Sequence, residues 1–494
     1  MSSELTDALE DRLERFRAVR RDLEASVLPL ATSVDGRRFS FQASLHGLEL
    51  QIGGYVILGE GRLGQVLELE MGLREGTDLD LPPDEQSALG LRTEVPIRHA
   101  RGSGTVLEGD GAPFHDVAVR PATSAEVRGW LERARPRRAQ LEIGELATAR
   151  DVPYAIDAGG FDRHTFLCGQ SGSGKTYSLG VILERLLMET TLRVVILDPN
   201  SDYVRLSEVR DGADGESAAR YRRAATGVER PELRLRLADL EPAVQAALLR
   251  LDPIADREEH AELAAILAEE RPPALEALAD SEDAATRRLV LRARNLGVDA
   301  FGVWARGAQG SLLDALTAEG PRCAVVDLGS LKSREEQALV AATVLGALWR
   351  RREEREPVLV VIDEAHNVCP ARPEDPLMAA ATDHAVRIAA EGRKFGIYLL
   401  VSTQRPQKVH ENVISQCDNL VLMRLNSAAD AAFAQAIFSF VPAGLVERAT
   451  TFRLGEALVA GKISPDPALI RFGARFAEEG GADVPSTWAA PASR

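Results

Sequence analysis

The chain has 494 residues, 45% hydrophobic and 27% charged, enough for two or three domains with cores of their own. No apolar run is long enough to cross a bilayer, and the N-terminal stretch lacks the basic-then-apolar pattern of a secretory signal, so a cytoplasmic protein with no membrane partner is expected. The formal net charge of −16 excludes a protein that coats nucleic acid with its whole surface, but not one with a local basic channel. Cys168, Cys323, Cys369 and Cys417 form no C-x-x-C pair and fall mostly in apolar runs, which suits buried thiols better than disulfides or zinc.

Residues 4–28 carry Leu5, Leu9, Leu13, Phe16, Leu23 and Val27 at helical spacing, predicting a helix within residues 1–35. Such a helix either packs on the next domain or serves a partner or a second copy. From 36 to 125 the pattern changes to short alternating runs broken by Gly, Pro and Asp, among them Tyr55-Val56-Ile57-Leu58 and Val117-Ala118-Val119. That spacing predicts a small antiparallel β-barrel. An Arg-rich helical stretch, Ser124 to Arg138, opens a linker helix placed at 126–150.

Residues 151–475 alternate strand and helix patterns. The strand candidates 165–168, 193–198, 323–328, 358–363, 397–402 and 419–424 are continuous apolar runs, as in a parallel sheet buried on both faces. An Ala-, Leu- and Glu-rich stretch at about 231–315 reads as a helical insertion, and 454–472 as a terminal hairpin. The tail, 476–494, has the composition of a disordered segment.

Within this domain, Gly169-Gln170-Ser171-Gly172-Ser173-Gly174-Lys175-Thr176 matches G-x-x-x-x-G-K-[ST], between an apolar run and an amphipathic helix. Strand, glycine loop and helix are what a phosphate cradle needs: the glycines let backbone N–H groups turn inward on phosphate oxygens. Lys175 then supplies a point charge to the β- and γ-phosphates, and Thr176 a hydroxyl for Mg²⁺. The expected fold is α/β, a RecA-like P-loop ATPase core with a mainly parallel sheet and a helical insertion, preceded by the barrel.

The apolar run 358–362 ends in Asp363-Glu364, which places two acids at a strand tip beside the phosphate loop. Asp363 is the second Mg²⁺ ligand expected, and Glu364 the group that polarises the attacking water. The run 397–402 leads into Thr403-Gln404-Arg405, where Gln404 is the candidate γ-phosphate sensor. Arg393, Lys394, Arg405 or Arg424 could each stabilise charge on a neighbouring subunit's nucleotide, and Arg393 is the first choice. Asp198, ending the run 193–198, supports the site or caps a turn, and Asn200 the same.

These residues together resemble the HerA branch of the HerA–FtsK ATPases. The resemblance rests on the phosphate loop, Ile196-Leu197-Asp198-Pro199-Asn200-Ser201-Asp202-Tyr203, Val361-Ile362-Asp363-Glu364-Ala365-His366-Asn367, Glu391-Gly392-Arg393-Lys394-Phe395-Gly396 and Ser402-Thr403-Gln404-Arg405-Pro406. Gly53-Gly54-Tyr55-Val56 is similar to part of that family's N-terminal barrel. The resemblance implies a hexameric ring with ATP at subunit interfaces, double-stranded DNA in the central pore, and an arginine finger given in trans. It also implies a partner nuclease such as NurA, or another effector in DNA processing or phage defence. Arg372, Arg220, Arg222 and Arg223 are candidate pore contacts or simply solvated charge. Asp363-Glu364-Ala365-His366 also spells the string of superfamily 2 helicases, but those need a second RecA-like domain, for which no sequence remains. No N-K-x-D guanine-reading motif follows the phosphate loop. The alternative to a motor is an ATP-gated scaffold that assembles an effector.

Overall fold

Two sheets organise the computed structural model, which describes residues 20–78, 94–268, 283–306, 309–317 and 319–481 with positions 14, 17, 18 and 281. The first sheet closes on itself. Strands β1 (Leu30–Ser33), β2 (Arg38–Ser44), β3 (Tyr55–Leu58), β4 (Arg62–Asp78), β5 (Glu94–Glu108) and β6 (Phe114–Pro121) form a barrel in the order β1-β2-β5-β4-β3-β6. Its interior follows from alternation: β2 turns Phe39, Phe41 and Ala43 inward and Arg38, Ser40 and Gln42 outward. Val56, Leu58, Val66, Phe114 and Val119 complete the filling. Strand β5 leaves room for the rings, since a Cβ on Gly102 would strike Phe41 and one on Gly104 would strike Phe39.

The barrel begins at Leu30, before the expected boundary at 36, because β1 pairs with both β2 and β6 and so closes the ring. The helical residues 20–25 precede it, and most of the predicted N-terminal helix lies outside the described residues. After the barrel, helix Ser124–Ala134 starts on a Thr123/Glu126 capping box. It ends where Pro136 disfavours helical backbone at Arg135. The linker helix expected over 126–150 is therefore corrected. From Gln140 the chain is strand, with Leu141 and Ile143 buried at a period of two.

The second sheet has eleven strands. To β7 (Gln140–Leu146), β8 (Pro153–Asp157), β9 (His164–Cys168) and β10 (Arg193–Leu197) it adds β11 (Val228–Glu229), β12 (Cys323–Val326) and β13 (Val358–Ile362). Strands β14 (Ile397–Thr403), β15 (Cys417–Met423), β16 (Glu456–Gly461) and β17 (Ala468–Phe472) complete it. The order is β11-β12-β10-β13-β14-β9-β15-β16-β17-β7-β8. The run from β11 to β15 is parallel, and the run from β15 to β8 antiparallel. Every residue of β9, β12 and β13 is buried, as two covered faces require. The insertion contributes helices Pro242–Leu248, Arg257–Leu267 and Ala284–Leu296, whose Val244, Leu263 and Leu289 join one core with helix Arg334–Arg350. Among the described residues no helix is long and apolar enough to cross a membrane.

Barrel and sheet share a seam. Tyr55, Ile57 and Leu63 of the barrel lie in one apolar cluster with Trp130, Leu141 and Ile470. Tyr55 Oη donates to Asp466 Oδ2 at 2.9 Å, and Gln65 Nε2 donates to the Pro467 carbonyl at 2.9 Å. Both acceptors stand in the turn between β16 and β17.

The expectation of a disordered tail from 476 is corrected for its first residues. Phe476 and Ala477 donate their N–H groups to the buried Glu184 carboxylate at 2.9 and 2.7 Å. Arg185 Nη2 reaches the Ala474 carbonyl at 2.8 Å, and Gly480 N–H reaches the Asp202 carbonyl at 3.0 Å. The chain thus crosses the outside of the phosphate-loop helix as a strap over 473–481. Residues 482–494 lie outside the described residues.

Candidate active site

The phosphate loop leaves the C-terminal tip of β9 pinned to its neighbours. Gly169 N–H donates to the Thr403 carbonyl at the end of β14 (3.3 Å), and Gln170 N–H donates to the Arg424 carbonyl just beyond β15 (3.0 Å). Gly172 and Gly174 take φ of 73° and 90°, which a side chain would resist. A Cβ on Gly169 would stand 2.7 Å from Met423 Cβ. Gly174 is the N-cap of helix Lys175–Glu189 and offers no side-chain cap. The amides of the first turn and the positive end of the helix dipole are thus left to an anion. Ser173 Oγ, inside the loop, is buried and has no hydrogen-bond partner among the described residues. These features fit a nucleotide's phosphates.

Strands β13 and β14 lie side by side, with Ile362 opposite Val401, so Asp363 and Ser402 emerge together beside the loop. Lys175 Nζ is 2.8 Å from Asp363 Oδ1, 3.0 Å from Glu364 Oε1 and 3.3 Å from Ser402 Oγ. Burial alone would lower the lysine's pKa, but the charges of Asp363 and Glu364 raise it, so it stays an ammonium. Asp363 is fully buried and its Oδ2 has no partner among the described residues. Glu364 sits at φ 41°, ψ 50°, a left-handed conformation that costs a non-glycine residue about 1–2 kcal/mol. His366 Nδ1 lies 3.1 Å from Thr403 Oγ1 and 3.2 Å from Glu364 Oε2.

A third acid, absent from the sequence reading as a site residue, comes to the same place. Carboxylate oxygens of Asp198, Asp202 and Asp363 all lie within 4.8 Å of one another. Asp198 accepts the N–H groups of Asp202 and Tyr203 at 2.9 and 2.8 Å, so it does cap the turn after β10. Burial pushes its pKa up to about 7, and burial and the neighbouring Asp363 raise that of Asp202. The signal for Asp202 was the acid-rich Asp198-to-Asp202 run at a strand tip. Thr176, in the first helical turn, and the free Oδ2 of Asp363 fit the donor chemistry of Mg²⁺, a hard cation bound by oxygen.

The other expected residues scatter. Gln404 is half-buried at the tip of β14, on the same edge as Ser402 and Thr403. Arg393 precedes β14 at the opposite end, about 20 Å from the tip at roughly 3.3 Å per residue. Its Nη1 is 2.6 Å from Asp418 Oδ2, so it is kept away from its own phosphate loop. Arg424 instead stands at that loop, donating to the Gly172 carbonyl at 3.1 Å. Arg220 pairs with Glu189, and Arg222 bonds the Ala213 carbonyl, so the helix Gly215–Ala225 does not bring them to the site. All four cysteines are buried and free, with thiol pKa values raised by desolvation.

A family model described as "Helicase HerA, central domain" matches residues 141–289. The DNA double-strand break repair helicase HerA of Pyrococcus furiosus is 24% identical over 400 residues, 67% of this chain and 69% of the relative. Over these spans the chain is similar to the HerA branch of the HerA–FtsK ATPases. The HerA of Sulfurisphaera tokodaii is 33% identical over 156 residues, a stretch that spans only 30% of either chain. Among solved structures, VirB4 of Thermoanaerobacter pseudethanolicus aligns at a TM-score of 0.47 and 18% identity, covering 69% of this chain and 97% of that one. The HerA match takes in the phosphate loop and most of the insertion, while Asp363, Glu364 and Gln404 lie beyond it.

Proposed function

We propose that this chain binds ATP with Mg²⁺, hydrolyses it, and uses the cycle to move double-stranded DNA through a ring of identical subunits. The observation that carries the reading is the meeting of Lys175, Asp363 and Glu364 beside an uncapped, glycine-built helix N-terminus. The relatives' names, DNA double-strand break repair helicases, support DNA as the substrate.

Thr176 and Asp363 would hold the magnesium, with Asp202 and Asp198 behind them. Bound magnesium supplies charge neutralisation on the β- and γ-phosphates. Lys175 swings from the two acids to the phosphates, and Glu364, released from it, accepts a hydrogen bond from the attacking water. Gln404, at the neighbouring strand tip, positions the γ-phosphate or that water. Arg393 lies too far from its own loop to serve it, so any catalytic role for it is across a subunit interface. A hexamer and a nuclease or other effector partner complete the proposal. The net charge of −16 favours the second reading, a scaffold gated by ATP.

Steady-state ATP hydrolysis with and without linear duplex DNA, at low and moderate salt, decides between them. Stimulation that fades with salt is expected of the motor, because counterion release governs contacts to DNA phosphates. Real basal turnover that DNA does not change would overturn the motor in favour of the scaffold.

A further inference from the structure

Beyond the strand tips, β13 and β14 continue as two loops, 366–375 and 404–410, which are tied to each other. Pro370 and Val409 form an antiparallel bridge. Ala371 N–H donates to the Lys408 carbonyl at 2.8 Å, and His410 N–H to the Cys369 carbonyl at 3.0 Å. These loops wall a cavity of about 830 Å³. Arg334, Arg372, Arg405 and Lys408 line it against one carboxylate, that of Glu374. Among the described residues none of the four cations lies within 4.0 Å of a carboxylate. The cavity has no aromatic wall besides His366 on which a base could stack, so it suits a run of phosphates rather than a nucleoside.

His366 joins this cavity to the chemistry. Its ring lines the cavity, while Nδ1 stands 3.2 Å from Glu364 Oε2 and 3.1 Å from Thr403 Oγ1. The first contact is close but not aligned as a hydrogen bond, so Oε2 has no hydrogen-bond partner among the described residues. The other carboxylate oxygen faces Lys175 at 3.0 Å. Glu364 is therefore paired with Lys175 on one side and only abutted by the His366 ring on the other, in a strained backbone conformation where a small shift of that ring is enough to re-aim it.

We propose that this cavity takes the phosphodiester backbone of DNA and that His366 is the positioning residue through which its occupancy frees Glu364. The inference rests on the ATPase reading above. Phosphates in the cavity draw Arg405 and Lys408 toward them. Because their loop is bridged to the loop that carries His366, the ring moves with them and releases the carboxylate. A phosphate of a neighbouring subunit's nucleotide offers the same chemistry, so the test separates the two sources.

The full chain is assayed for ATP turnover with and without duplex DNA, and for DNA affinity across a salt series. His366→Ala should cut the ratio of DNA-stimulated to basal turnover by at least about 5-fold, the lower end of ordinary coupling between sites. His366→Asn, which restores a donor near Nδ1, should recover most of it. Arg372→Gln with Lys408→Gln should lower the same ratio and reduce the salt slope of DNA binding by about two. Each ratio is internal to one preparation, so a loss of active protein does not imitate the effect. A wild-type ratio in His366→Ala overturns the positioning role, and a wild-type slope in the double variant overturns the DNA site. A double variant that binds DNA normally but changes the ATP dependence of DNA-free turnover assigns the cavity to a neighbour's nucleotide, which also overturns the proposal. A wild type that binds DNA without being stimulated removes the motor reading itself, and this inference with it.

Discussion

Lys175 and Glu364 make opposite demands on the protein, and two substitutions separate them. Lys175 is 6% exposed and neutralises two buried acids. Lys175→Ala leaves those acids unpaired and facing each other, which should cost about 3–5 kcal/mol of stability without added nucleotide, besides abolishing ATP binding. Glu364→Gln removes one of two like charges, so stability should hold or rise. ATP should still bind, while turnover falls by roughly 10²–10⁴-fold. Denaturant unfolding and a nucleotide-binding assay on both variants check this, and equal unfolding midpoints would contradict it. Lys175, Asp363 and Glu364 were legible because each lies in a contiguous run with its own chemistry. Asp202 was legible only as an acid near a strand tip, since its meeting with Asp363 depends on β10 and β13 being neighbours in the sheet.

At the scale of elements, apolar runs gave six of the seven parallel strands to within a residue or two, because strands buried on both faces are continuous apolar runs, whereas the two residues of β11 are too few to leave one. The edge pair β7 and β8 escaped notice. Leu141 and Ile143 of β7 alternate with polar residues and blend into the Arg-rich stretch before them, while β8, buried from Tyr154 to Asp157, is only five residues long. The strap over 473–481 was missed for a related reason. It is small and polar in composition, and it is held by Glu184 and the fully buried Arg475, whose Nε is 3.7 Å from the Glu184 carboxylate. Gly180 exists to admit that guanidinium, since a Cβ there would meet Arg475 Cζ at 2.6 Å. Glu184→Ala should cost about 3–5 kcal/mol, because it strands Arg475 and orphans two backbone donors. Arg475→Ala should cost less, as Glu184 keeps both N–H donors and Arg185 at 3.0 Å. The ranking is read from chemical denaturation of the two variants, and its reversal would refute this account of the strap.

For the whole molecule, the seam between barrel and sheet carries a titration. Burial pushes Asp466 up to about 7, with the Tyr55 hydroxyl pulling the other way. Between the ordinary 3.8 and about 7 the folded protein binds the proton that the unfolded chain releases. Stability from this group is therefore full below that window and lost as pH rises through it. Asp198 is shifted in the same direction and adds to the decline. Asp466→Asn should shrink the drop in thermal midpoint between pH 5 and pH 8, and an undiminished drop would exclude the seam as its source.

The same seam has a mechanical meaning. Asp466 and Pro467, which receive Tyr55 and Gln65, stand in the turn that joins β16 to β17, and β16 is two strands from β9. The barrel is bolted to the sheet rather than hung from a tether. In a machine that pulls, compliance in series with the engine absorbs each stroke before the cargo feels it. For the motor proposed above, the hydrogen-bonded seam keeps that compliance low. Tension applied to anything clamped on the barrel travels through two hydrogen-bonded strands to the base of the phosphate loop.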